Sequence, residues 1–158
     1  MSEKKKTSFD PRKKVKNLKG NEIPKSFPSR EELEKLTKDK NGNPNIDELP
    51  RETVGNVILN CLAGYKPKAR TEGFYVSFIA DEVVEAIEKK GKVELNDHRT
   101  KTLTRILLDM SVRMEERTTK GKDGKEETKE EQVGLYAGWA IARILGELGV
   151  TPEDIEEE

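Results

Sequence analysis

Four segments between residues 54 and 148 repeat apolar side chains at the spacing of a helix, which limits the folds open to the chain. Apolar residues three or four positions apart fall on one face of an α-helix. The four faces consist of Val54, Val57, Ile58, Cys61, Leu62 and Tyr65; of Val76, Ile79, Ala80, Val83 and Ile87; of Leu103, Ile106, Leu107, Met110 and Met114; and of Val133, Tyr136, Ala137, Ala140, Ile141, Ile144, Leu145 and Leu148. We therefore expect a mainly α fold with a small four-helix core.

Local signals around this core add detail. Asn96 has the character of an N-cap and predicts the start of the third helix. Val93 and Leu95 alternate with polar residues just before it, which favours a short extended segment. At the other end, Gly149 fits the termination of the fourth helix.

The first 46 residues lack a helical apolar pattern and are predicted to form a basic, largely disordered arm. Within it, Gly20-Asn21 favours a tight turn, so a short β-hairpin can form there. Ser29 and Glu32 have the spacing of a capping box and predict a short helix over about 30–38.

We divide the chain into three parts: the basic arm over 1–46, a helical core domain over 47–150 and an acidic tail over 151–158. A charged insertion at 115–131 interrupts the core, with a turn signal at Asp123-Gly124. This insertion can be a hairpin, a frayed helix pair or a disordered segment. Both termini of the chain are expected to be disordered.

Charge is abundant and unevenly placed. Charged residues make up 39% of the chain and hydrophobic residues 32%, yet the formal net charge is only -1. Residues 1–25 contain nine Lys or Arg against three acids, and residues 126–158 contain ten acids against two basic residues. Such ends are either interaction tails or solvated termini.

No apolar run approaches the length of a membrane span and no signal-peptide core is present, so we expect a cytoplasmic protein without a membrane partner.

The sequence shows no recognisable catalytic constellation. His98 has no Cys, His or Ser at a diagnostic spacing, and Cys61 lies on an apolar face, where a thiol behaves as a small hydrophobe. The glycines at Gly121 and Gly124 lack the strand and helix that a phosphate-binding loop requires. We therefore predict no enzyme activity, no metal and no cofactor.

Two groups of residues are candidates for binding. On the fourth helix, a helical edge combines side chains that most often pack in the core or at its rim but are also typical of binding hot spots; its members are Tyr136, Trp139 and Arg143. The basic arm could neutralise phosphates of a nucleic acid. The candidate residues in the arm are Lys4, Lys5, Lys6, Arg12, Lys13, Lys14 and Lys16.

Four motifs in the chain resemble a family of small bacteriophage and prophage proteins. In chain order these motifs are KNLKGNEI, ETVGNVILNCLAG, GKVELNDHRTKTLTRIL and GWAIARILGEL. The family patterns that they resemble are, in the same order, KNLxGxxI, TxGxVIxNxL, GxVEL and a final helix. The resemblance implies a phage origin and carries no established activity. The segment 29–38, the stretch 115–131 and the acidic tail depart from the family pattern.

These observations favour a non-enzymatic, phage-type accessory protein that acts by protein–protein interaction, in virion assembly or in interference with a host factor in the host-cell cytoplasm. One alternative is a nucleic-acid-binding regulator that uses the basic arm. A second alternative is a helical bundle that encloses a small ligand. A homo-oligomer also remains open, because four wide apolar faces can require a second chain.

Overall fold

The computed structural model describes residues 7–151 and 153–154. Its helices are α1 (Arg30–Glu34), α2 (Val54–Gly64), α3 (Arg70–Lys89), α4 (Asp97–Asp109) and α5 (Gly138–Glu147), with a 3-10 turn at Ile46–Glu48. Its strands are β1 (Thr7–Phe9), β2 (Val93–Leu95), β3 (Arg113–Lys120) and β4 (Glu126–Val133). Residues 1–6 of the predicted arm and most of the predicted acidic tail lie outside the described residues.

The fold is mixed α and β, so the prediction of a mainly α fold with a small four-helix core is wrong. Over the described residues, the strands form two antiparallel two-stranded sheets, β1 with β2 and β3 with β4. Two apolar residues assigned to helical faces belong to strands: Met114 lies on β3 and Val133 on β4. The apolar pattern missed β3 and β4 because their residues are almost all polar, so no hydrophobic alternation marks them.

The first sheet joins the N-terminal region to the middle of the chain. Phe9 pairs with Val93 and Thr7 with Leu95. The side chains of Phe9, Val93 and Leu95 are buried, and Val15 joins the same core. The prediction of a disordered N-terminal arm is therefore wrong for residues 7–15, because their apolar side chains are needed to complete the core.

Helices α2 to α5 supply most of the remaining core. The predicted face of α2, from Val54 to Tyr65, is buried along its whole length. Ile58, Ile106 and Ile144 are fully inaccessible to solvent, and α2 packs against α3, α4 and α5. On α3 the predicted face is only partly covered, since Ile87 remains 36% exposed.

The predicted helix caps are confirmed. The side chain of Asn96 accepts a hydrogen bond from the Arg99 N–H at the start of α4. Ser29 and Glu32 form the reciprocal capping box of α1. This helix is shorter than predicted and ends at Glu34, because the Thr37 N–H turns instead to the carboxylate of Glu48.

The charged insertion at 115–131 forms a β-hairpin, which is one of the three predicted alternatives. Strands β3 and β4 pair in register from Arg113–Val133 to Lys120–Glu126, and Gly124 supplies a positive φ at the tip. Every strand residue is exposed except Val133, which is half-buried. At the base, the Leu135 N–H donates to the Met110 carbonyl and the Val112 N–H donates to the Tyr136 carbonyl, which fixes the hairpin to the core.

Candidate functional site

Some residues from each of the two predicted binding groups meet in one groove. Lys13, Lys14 and Lys16 of the arm line a cavity of about 390 Å³ together with Arg143 of α5. We call it the N-terminal groove. Glu147 is the acidic residue in its lining, and its Oε1 lies 2.6 Å from the Lys13 Nζ.

The groove exists because the arm runs as an extended segment beside the start of α2. The Val15 N–H donates to the Glu52 carbonyl, and the Val54 N–H donates to the Lys13 carbonyl. Val15 is buried, whereas Lys14 and Lys16 on either side of it are exposed. This alternation is the ordinary consequence of extended geometry, in which successive side chains point to opposite faces.

Arg12 does not join the groove residues. Its backbone N–H and its guanidinium both bond the carboxylate of Asp10, at 2.9 and 3.2 Å. The hydrogen bond from the Arg12 N–H holds the pKa of Asp10 below its usual value, opposed in part by burial. The predicted phosphate contacts at Lys4, Lys5 and Lys6 lie outside the described residues.

The predicted edge of Tyr136, Trp139 and Arg143 is not one exposed surface. Tyr136 is buried just before α5, and its hydroxyl accepts a hydrogen bond from the Asn60 amide at 2.9 Å. Burial raises the pKa of Tyr136 to about 12. Trp139 is half-buried against the core, whereas Arg143 is exposed and donates weakly, at 3.4 Å, to the Asn17 carbonyl. These placements leave Arg143 as the most accessible member.

The hairpin, which we call the hairpin arm (113–133), has an unusual charge pattern. Three consecutive rungs place like charges directly opposite each other: Glu115 with Glu131, Glu116 with Glu130, and Arg117 with Lys129. Like charges facing each other across a strand pair destabilise the sheet. The arm therefore folds against an electrostatic cost that lies in its own sequence.

The two faces of the hairpin arm relieve this cost unequally. On one face, the Arg117 guanidinium lies 3.2 Å from Glu131 and the Arg113 guanidinium 2.9 Å from Glu115. The opposite face carries Met114, Glu116 and Glu130, and neither carboxylate has an ion pair within the described chain. Met114 is 58% exposed beside them. We call this second surface the acidic face.

A buried carboxylate at Glu52 was missed by sequence reasoning. Glu52 is 0% exposed and accepts hydrogen bonds from the Ser26 N–H at 2.9 Å, the Thr53 N–H at 3.1 Å and the Asn56 amide at 2.5 Å. No described cation forms a salt bridge with it. Its geometry fastens the loop at Ser26 to the start of α2, which is a structural role.

The two residues that could begin a nucleophilic or metal site have other surroundings. Cys61 is 0% exposed, and burial raises the pKa of its thiol to about 12, so the reactive thiolate is scarce near neutral pH. His98 is exposed in the first turn of α4, with its ring 4.8 Å from that of Tyr75. Across the described ranges, no group of three or more His, Cys, Asp or Glu side chains is arranged to hold a metal ion.

Comparisons of the chain with protein-family models, with curated proteins and with solved structures found no match. None of the helices in the described part of the chain is both long enough and apolar enough to cross a membrane.

Proposed function

We propose that this chain is a non-enzymatic accessory protein that binds a protein partner through the acidic face of its hairpin arm. The observation that carries the proposal is the pair of facing carboxylates at Glu116 and Glu130, on a hairpin whose strand residues are all exposed except Val133. The partner chemistry that fits is an extended segment rich in Lys or Arg, with an apolar side chain to meet Met114.

The physical support comes from the free energy of the arm itself. An isolated two-stranded hairpin is marginally stable in water, and the like-charge rungs lower its stability further. A basic partner would remove that repulsion on binding, so part of the affinity comes from relief of a cost already present in the free protein. The unpaired outer backbone of β3 or β4 could add a strand from the same partner.

The resemblance to phage and prophage proteins suggests where such a partner is found. We propose a role in virion assembly or in interference with a host factor, in the cytoplasm of the host cell. The charge of the acidic face disfavours a second copy of this chain as its occupant, because two such faces would bring four carboxylates together. Any homo-oligomer would use another surface.

Glu116→Gln combined with Glu130→Gln is expected to weaken partner binding at least about tenfold, because it removes two charge-assisted contacts. The same change should leave the thermal stability unchanged or slightly raised, since the repulsive rung disappears. The measurement is quantitative pull-down from host-cell lysate at two salt concentrations, with mass spectrometry of the captured proteins.

Glu31→Gln combined with Glu34→Gln on α1 is the matched control, since it removes two exposed carboxylates elsewhere. It should leave capture unchanged. The proposal is wrong if the double hairpin variant captures the same proteins at the same level as the native chain, or if the lost proteins have no basic segment.

A second candidate function is nucleic-acid binding through the N-terminal groove, favoured by the convergence of Lys13, Lys14, Lys16 and Arg143.

Changing Lys14 and Lys16 to Gln should weaken binding to DNA or RNA and reduce the slope of log affinity against log salt by about two. Lys122→Gln with Lys125→Gln at the hairpin tip is the control. Affinity that ignores salt, or that survives the groove substitutions unchanged, contradicts this candidate.

A further inference from the structure

A separate cleft opens between the start of α3 and the exposed side of α4. Its volume is about 650 Å³, within the range of ligand-binding pockets. The α3 side provides Lys68, Glu72 and Tyr75, and the α4 side provides Lys101 and Arg105. It shares no lining residue with the N-terminal groove and none with the hairpin arm.

Cations outnumber carboxylates in the lining of the cleft. Three cations line it: Lys68, Lys101 and Arg105. The opposing carboxylates are Glu72 in the lining and Asp97, which lies 3.2 Å from the Lys101 Nζ. Lys68 forms no salt bridge with any described residue. An anionic ligand would therefore meet an excess of positive charge.

One of these cations is held in position by a buried acid. The Arg105 Nη2 lies 2.7 Å from Glu72 Oε2, while Glu72 Oε1 accepts hydrogen bonds from the Tyr65 hydroxyl at 2.6 Å and the Lys68 N–H at 2.8 Å. The hydrogen bond from Tyr65 contributes most to a lowered pKa of Glu72, so this carboxylate is ionised. The Arg105 side chain is nevertheless 60% exposed, which leaves its other N–H groups free to donate to a ligand.

Two rings form part of the wall of the same cleft. Tyr75 and His98 contact each other edge to face, with ring centroids 4.8 Å apart, and both line the cavity. Aromatic side chains beside a basic groove can stack on nucleobases, whereas Arg and Lys suit the phosphates. The start of the 20-residue helix α3, at Arg70, adds the partial positive charge of a helix N-terminus.

We infer that this cleft binds a nucleotide, with Lys68, Lys101 and Arg105 on its phosphates and the Tyr75–His98 rings on its base. The nucleotide is either free or part of a single strand, since both present the same phosphate and base. The inference is independent of the hairpin arm and of the N-terminal groove.

The test is calorimetric titration of the full chain with ATP, AMP, tripolyphosphate and a short oligothymidylate. Saturable binding of one ligand per chain is expected. Lys68→Gln with Lys101→Gln should weaken it about tenfold or more, and both residues are exposed, so the fold is retained. Tripolyphosphate, which lacks a base, should bind at least about fivefold more weakly than ATP.

Lys122→Gln with Lys125→Gln at the hairpin tip is the matched control, because it removes two exposed cations that do not line the cleft. It should leave nucleotide affinity within about twofold. Binding of ATP or AMP identifies a free nucleotide, and binding of the oligonucleotide alone identifies a strand. The inference is overturned if none of the nucleotides saturates the protein, if tripolyphosphate binds as tightly as ATP, or if the control variant loses as much affinity as the cleft variant.

Discussion

Replacing Glu52 by alanine is expected to lower the free energy of unfolding by about 3 kcal/mol or more, because buried N–H donors lose their acceptor. The Ser26 N–H, the Thr53 N–H and the Asn56 amide all donate to this carboxylate, which has no exposed surface. For a chain of this size the midpoint of thermal unfolding should fall by about 6–12 °C. Urea unfolding followed by circular dichroism measures the change.

Glu48→Ala is the control for this prediction. Glu48 is an exposed carboxylate that also accepts a hydrogen bond from a backbone N–H, that of Thr37. Its removal should cost less than about 1 kcal/mol, since water can replace the lost acceptor. If the two variants unfold at the same urea concentration, the burial of Glu52 does not contribute as described.

Gly134→Ala is expected to be the second large effect, at about 3 kcal/mol or more. Gly134 has a φ of +99°, and a Cβ added there would lie 2.4 Å from the Ser111 carbonyl oxygen and 2.9 Å from the Val112 Cα. These neighbours are backbone atoms, so relief requires the base of the hairpin arm to shift. Because Leu135 and Tyr136 follow directly and pack on the core, the shift should lower the global stability, measured by differential scanning calorimetry.

Gly124→Ala separates the two causes of this expected loss. Gly124 at the hairpin tip also has a positive φ, +77°, but an added Cβ would meet nothing within 4 Å. Its substitution should cost only the backbone strain, about 1–2 kcal/mol, and should affect the tip alone. An equal loss of global stability in both variants would contradict the steric explanation for Gly134.

The helical part of the fold could be predicted from the sequence because the signals for helices and caps lie in residues close together in the chain. The face of α2 and the caps at Ser29 and Asn96 follow from the spacing of a few neighbouring residues. The short segment around Val93 and Leu95 was also predicted as extended. The pairing of this segment with Thr7–Phe9 could not be predicted, because no local signal connects strands separated by more than 80 residues.

The candidate surfaces were predicted only in part. The basic residues of the arm were identified, but their meeting with Arg143 depends on how residues 13–16 dock beside α2. A signal for the hairpin register was present: Glu115-Glu116 and Glu130-Glu131 stand at equal sequence distances on either side of Asp123. For Glu52, which lies just before the helical pattern begins, no feature of the sequence indicates burial.

The pairing of β1 with β2 has a consequence for how the protein is made. A chain is synthesised N-terminus first, at about 5–20 residues per second, so Val93 is added about 4–17 s after its partner Phe9. Until then Phe9 has neither its partner strand nor its place in the core. Completion of the fold therefore waits until residues 93–95 are translated, and a nascent chain stalled before residue 93 would present Phe9 and Val15 to chaperones or to aggregation.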